Sequence, residues 1–163
     1  LAEIRGGDKL QRALVEITAK LDKYATLHVG FLAGARYPNG TSVALIAAIQ
    51  NYGAPRAGIP PRPFFSNMVK AKSPEWPAGL AGLLKKHNYD TNLALGEAGV
   101  LIAEQLRQSI KDTNTPPLKP ATLRARGVAG NTKYDPSNPK TFGAKPLIRT
   151  GDMMRAVAYE VVE

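Results

Sequence analysis

Cysteine is absent from the 163 residues, which excludes thiolate catalysis, cysteine-held zinc and any disulfide framework at once. Histidine is scarce. His28 and His87 are the only imidazoles, so little is available for acid–base chemistry. No run approaches 18 apolar residues, so no transmembrane helix is expected. The N-terminus has no charged region followed by an apolar core, so no signal peptide is expected. Because the chain opens on Leu1 rather than Met, an initiator is expected to precede it. Acidic residues are outnumbered, 13 against 22 Lys and Arg, for a net charge of +9 and a pI near 9.9. That excess points to a polyanion or an acidic protein surface as partner, and says nothing about fold. A chain of 17.5 kDa can bury roughly 70% of its unfolded surface, so one soluble domain spanning 1–163 is expected, with no metal or disulfide needed to hold it.

The charge is unevenly spread. Residues 36–86 carry Arg36, Arg56, Arg62, Lys70, Lys72, Lys85 and Lys86 against Glu75 alone. Residues 114–149 carry Lys119, Arg124, Arg126, Lys133, Lys140, Lys145 and Arg149 against Asp135 alone. Each segment is thus net +6, and all 13 prolines fall between Pro38 and Pro77 or between Pro116 and Pro146. Two proline-rich basic loops, at about 34–62 and 114–149, are expected to reach from a nearly neutral core.

Leu10, Leu14, Ile17, Leu21 and Tyr24 recur at helical spacing, predicting an amphipathic helix that starts after Gly6-Gly7 with Asp8 at its positive end. Leu27, Val29 and Phe31 alternate, as do Val157, Tyr159 and Val161, predicting strands at 27–32 and 157–162. Tyr37-Pro38-Asn39-Gly40 signals a turn. Thr41 or Ser42 is placed to cap a helix running through Val43, Ile46, Ala47 and Ile49, with Gly53 ending it. Ile59-Pro60-Pro61-Arg62-Pro63 reads as extended, and a helix resumes at Phe64. Ser73 is expected to cap a further helix ending near Asn88. The clearest element, with Asp90 or Thr91 placed to cap it, is a helix to about Asp112, with Leu93, Val100, Ala103, Leu106 and Ile110 as its stripe. On it Ala94, Gly96, Ala98 and Gly99 admit a close neighbour. Pro120 to Arg126 predicts a short helix closed by Gly127, and Asp152–Arg155 one more turn. Residues 128–146 have almost no apolar period and are expected to be mobile until a partner orders them. The fold class expected is α+β, a small mostly antiparallel sheet packed by several helices with one long central helix.

Catalytic patterns are missing. His28 lies on the strand face opposite Leu27 and Val29, and His87 follows Lys85-Lys86 where water is expected to reach it. Glu97 and Glu104 share a helix face without partners that would complete a metal site, so a solvated face is expected. No zinc-protease, calcium-loop or phosphate-loop pattern occurs. Neither a recognition helix rich in Arg and Asn nor aromatic–basic interleaving is present, so base-specific reading of DNA is not expected, whereas phosphate contact remains open. No catalytic residue, cofactor or metal is expected.

Three segments carry a resemblance. Val43-Ala44-Leu45-Ile46-Ala47-Ala48-Ile49-Gln50-Asn51-Tyr52-Gly53 leads into Ile59-Pro60-Pro61-Arg62-Pro63-Phe64-Phe65. Pro117-Leu118-Lys119-Pro120-Ala121-Thr122-Leu123 follows the long helix. Lys145-Pro146-Leu147-Ile148-Arg149-Thr150-Gly151-Asp152-Met153-Met154-Arg155 precedes the last strand. In that order, over about residues 27–160, they resemble the tailed-bacteriophage neck and tail-completion proteins of the virion-morphogenesis, minor-tail-protein-Z-like group. The spacing departs in one place, Asn51 and Gly53 being only two apart. The resemblance implies a virion component at the head–tail junction that completes or joins the tail. It implies a ring of identical subunits, six copies fitting tail symmetry, located at the neck or top of the tail and assembled in the bacterial cytoplasm. The partners implied are further copies of itself, tail terminator or tail tube proteins, head-connector proteins and non-specific contact with DNA in the channel, with no membrane involved. A non-specific DNA-binding protein of phage origin is the alternative. The residues expected to carry assembly contacts are Arg56, Arg62, Phe64, Phe65, Lys119, Arg124, Arg126, Lys133, Lys140, Lys145 and Arg149. Arg62, stiffened between two prolines, is expected to offer its fork to a carboxylate.

Overall fold

The segment after Asp90 forms one long helix, and the other elements are arranged about it in a computed structural model that describes residues 7–21 and 25–162. In chain order the elements are α1 (Gly7–Leu21), β1 (Thr26–Phe31), α2 (Val43–Tyr52), α3 (Phe64–Lys72), α4 (Trp76–Lys86), α5 (Thr91–Asp112), α6 (Pro120–Ala125), α7 (Asp152–Arg155) and β2 (Val157–Val162). The fold is α+β. The first and last strands pair antiparallel, with Leu27 opposite Val161, Val29 opposite Tyr159 and Phe31 opposite Val157. A two-stranded ribbon is marginal alone. Here α5 supports both strands, and α3 and α4 also pack on α5. Phe64, Leu106, Ile110, Val43 and Val157 are the largest fully buried side chains, and Phe31 meets the Phe64 ring edge-on at 6.2 Å.

Local sequence accounts for most of the boundaries. Asp90 caps α5 by accepting a hydrogen bond from the Leu93 amide (3.0 Å), and the Ser42 hydroxyl does the same for α2 from Leu45 (3.3 Å). The Tyr37–Gly40 turn closes with the Gly40 amide donating to Tyr37 O at 2.8 Å. Ser73 behaves otherwise than expected. Its backbone is helical (φ −58°, ψ −30°) and its hydroxyl caps nothing, so α3 runs through a tight turn at Ser73–Glu75 directly into α4. Of the stripe expected on α1, Leu10 and Leu14 are exposed and Ile17 is half-buried, with Val15 beside it exposed as well, while Gly6, Tyr24 and the Leu21 side chain lie outside what is described.

The stripe of α5 is corrected in its first half. Leu93 and Val100 are 57% and 50% exposed, and the buried face there is Ala94, Leu95, Ala98 and Gly99. The cause is the sheet's close approach. A Cβ on Gly99 would sit 2.6 Å from Tyr159 Cγ and 3.0 Å from Leu27 Cδ1, so only a bare backbone fits beneath that ring. At Gly96 a Cβ would meet nothing within 4 Å among the described residues.

The segment 128–146 is also corrected, because it carries its own order. A six-residue tight helix covers Pro139–Ala144, and Ala144, Pro146 and Leu147 are buried. Lys145 Nζ lies 4.4 Å over the Tyr134 ring and donates to Tyr134 Oη at 3.1 Å, while Phe142 packs on the same ring.

Gly99→Val is expected to lower the unfolding free energy by about 1–3 kcal/mol through overpacking against Tyr159. Gly96→Ala, on the open side of the same helix, is expected to raise it by about 0.5–1 kcal/mol. Urea unfolding measures both, and equal effects of the two substitutions would contradict the placement of the sheet.

Candidate partner-binding cleft

The Asn-Tyr-Gly segment and the proline-flanked arginine form a single piece of local architecture. Asn51, 3% exposed, accepts hydrogen bonds from the Phe65 and Ser66 amides at Oδ1 (3.0 and 3.1 Å) and donates from Nδ2 to Ser66 Oγ (2.8 Å). It therefore caps α3 from a different helix, satisfying donors that the first turn leaves free. Gly53 has φ +78°, and a Cβ there would lie 2.9 Å from Pro61 N, so the extended segment can cross close beneath α2.

That crossing delivers Arg62 to the interior. Arg62 is 3% exposed, and each of its three nitrogens donates: Nε to Pro116 O (2.9 Å), Nη2 to Pro117 O (3.2 Å) and Nη1 to Gln50 Oε1 (3.0 Å). Burial pushes the guanidinium's pKa down from its ordinary value, yet it keeps its charge. Expected at the assembly surface, Arg62 is instead the tie between the two basic segments. Its proline flanks fix it toward its own chain rather than toward a neighbour. Phe64 is likewise fully buried and unavailable to a partner, and Phe65 is half-buried beside it.

Arg126 repeats the pattern. Nη1 donates to Lys145 O (2.7 Å) and Gly143 O (3.3 Å), and Nη2 reaches Pro146 O at 3.4 Å, which holds the 143–146 backbone in place. Burial lowers its pKa first, and the positive charges of Arg149 and Arg62 lower it further. Arg126 and Arg149 therefore share one neighbourhood, and Arg62 is near enough for its charge to act on Arg126.

Arg126 and Arg149 face a cleft of about 400 Å³. One wall is the Tyr37–Asn39 turn with Ile46 and Gln50 of α2, and the other is the chain from Pro146 to Met153. Asp152 is the acidic group on the cleft's edge, and its oxygens are taken by the Thr150 hydroxyl and the Arg155 guanidinium. Those bonds hold the carboxyl below its usual range. Tyr37 is pushed up, by burial and then by the negative charge of Asp152, so its phenol stays protonated and able to donate.

The remaining candidates separate by position. Arg149 is exposed and makes no hydrogen bond among the described residues, so its charge is available. Lys119 is exposed and extends beside Gly58 of the other basic segment. Arg56, Arg124, Lys133 and Lys140 are exposed, and Lys145 is held on Tyr134. Tyr37, Gln50 and Asp152 belong to the cleft although charge counting passes over them. The Tyr-Pro-Asn-Gly turn was the one sequence signal near Tyr37.

The expected acid–base candidates lie elsewhere. His28 pairs with Glu160 across the exposed strands at 3.3 Å. His87 is half-buried rather than solvated, because Glu97 Oε2 bonds its Nε2 at 2.7 Å while Lys86 Nζ donates to the same carboxylate at 2.6 Å. Glu97 is therefore a clasp between α4 and α5 rather than a merely solvated group. Among the described residues no three His, Asp or Glu gather as metal ligands, and no helix is long and apolar enough to cross a membrane.

Arg62→Leu is expected to cost about 1–3 kcal/mol, since it strands the carbonyls of Pro116 and Pro117, and to speed amide exchange at Leu118. Thermal unfolding and hydrogen exchange read the two effects. Lys86 and His87 lower the Glu97 pKa, so its stabilisation is full above the ordinary carboxylate range and is lost as pH falls through the lowered value. The difference in Tm between wild type and Glu97→Gln is therefore expected to shrink as the pH drops below about 4.3.

Comparison with family models, with curated proteins and with solved structures finds no match to this chain.

Proposed function

We propose that the chain is a structural subunit of a tailed-phage virion, placed at the neck or top of the tail, where it completes the tail and joins it to the head connector. It acts as a ring of identical copies, six suiting tail symmetry, and its chemistry is binding alone. The observation that carries this reading is the meeting of two resemblance segments. The helix leading to Asn51-Tyr52-Gly53 and the Lys145–Arg155 segment, far apart in sequence, form opposite walls of one cleft. Segments that recur together in a family and face each other in space fit a shared contact surface.

Exposed apolar side chains support association. Leu10, Leu14 and Val15 of α1 and Leu93, Val100 and Leu101 of α5 remain uncovered in the single chain. Faces of this kind are characteristic of subunits that bury them against neighbours. The exposed charges of Lys133, Lys140 and Arg149 favour a second reading, non-specific DNA contact through phosphates.

Sedimentation velocity with negative-stain imaging tests the first reading. The purified chain is expected to form closed rings, and Leu14→Glu with Val100→Glu is expected to reduce them to 17.5 kDa monomers. A chain that stays monomeric at every concentration, yet binds duplex DNA with an affinity falling steeply with salt, would overturn ring assembly in favour of the second reading.

A further inference from the structure

We infer that the cleft between the Tyr37–Asn39 turn, α2 and the Pro146–Met153 segment is a receptor for an acidic, partly apolar peptide segment, with Arg149 and Arg126 binding its carboxylate. The inference goes beyond ring assembly and does not rest on it, since the cleft is complete within one chain.

Four observations lead to it. The cleft has room for a few side chains, about 400 Å³. Its walls and floor are supplied largely by Ile46, Pro38, Pro146, Leu147 and Met153, which offer contact to apolar groups and no hydrogen bonds. Its charge is positive: Arg126 and Arg149 line it, Arg62 stands behind Gln50, and Asp152, the one lining carboxylate among the described residues, is already bonded to Thr150 and Arg155. Guanidinium groups crowded together raise one another's energy, and an incoming carboxylate lowers it. The donors are also arranged in advance. Arg126 is fixed by three backbone carbonyls, so its orientation costs little further entropy on binding. Arg149 is free to close over the ligand, forming a charge-assisted bond.

Peptide is favoured over nucleic acid by shape and by composition. A duplex presents its phosphates on a broad convex surface and is gripped by long, exposed cations. Arg126 is half-buried and pinned, and the floor beneath it is aliphatic, which suits a Leu or Val side chain next to an Asp or Glu.

The probe is a fluorescein-labelled, end-capped octapeptide of alternating Leu and Glu. Its Leu–Gln counterpart and a labelled duplex oligonucleotide are measured beside it by fluorescence anisotropy on the full chain at physiological salt. The Leu–Glu peptide is expected to bind at least about tenfold tighter than the Leu–Gln peptide, and Arg149→Glu to weaken it by about tenfold or more. Arg149 is exposed, so the variant keeps the fold. Lys85→Glu, the same charge change on an exposed site of α4, is expected to leave binding within about twofold. Methyl and amide shifts on adding the peptide are expected at Ile46, Leu147 and Met153. Equal affinity for the two peptides, equal loss in Arg149→Glu and Lys85→Glu, or shifts confined elsewhere would overturn the proposal. Displacement of the peptide by the duplex, with Arg149→Glu weakening the duplex more, would assign the cleft to nucleic acid instead. Because no arm depends on self-association, failure of ring formation leaves the result unaffected.

Discussion

A buried guanidinium tied only to neutral acceptors organises this molecule. Removing a charge from water is costly, and a protein recovers that cost only with good geometry and complete hydrogen bonding. Arg62 offsets much of that cost by donating from Nε and from both terminal nitrogens, to Pro116 O, Pro117 O and Gln50 Oε1. The stiff proline-flanked segment that carries it limits the entropy lost in placing it. Because those acceptors lie in the other basic segment and on α2, the arginine determines where three pieces of chain meet. Asn51 capping α3 and Gly53 admitting Pro61 are the local conditions for that placement.

This arrangement changes the meaning of the charge. A net +9 suggests a surface seeking anions, yet part of the excess is interior scaffolding. Arg62 and Arg126 hold backbone carbonyls and Lys145 lies over Tyr134, while at the surface Lys86 clasps Glu97. What remains for partners is narrower: Arg149 and the pinned Arg126 at the cleft, and the exposed cations such as Lys133 and Lys140. Arginine suits the scaffolding role because its planar fork serves several acceptors at once without losing its proton. The same bonds give 128–146 its order, which apolar periodicity has no means of registering.

The long helix shows a second limit of periodicity. Counting large apolar residues along α5 favours Leu93 and Val100, but the sheet chose the small-residue side, where Tyr159 can lie on Gly99. Without a Cβ at Gly99 the Tyr159 ring comes into van der Waals range of the helix backbone, which a larger residue there would prevent. Farther along, at Ala103, Leu106 and Ile110, the two criteria agree and the expected face is the buried one.

The sequence by itself determined the elements with local causes. The period-two residues of both strands, the cap sites at Thr41 or Ser42 and at Asp90 or Thr91, the Pro120 start of α6 and the Tyr37–Gly40 turn all act within a few residues, so they are legible in one dimension. The α+β class followed from them. Tertiary structure alone decided which candidate residues point outward. Whether an arginine between prolines serves a partner or its own chain depends on carbonyls some 54 residues away, and whether two basic segments form one cleft depends on how α2 and the 146–153 chain approach. Such contacts are long-range and carried by backbone acceptors, which every residue possesses and no sequence pattern marks.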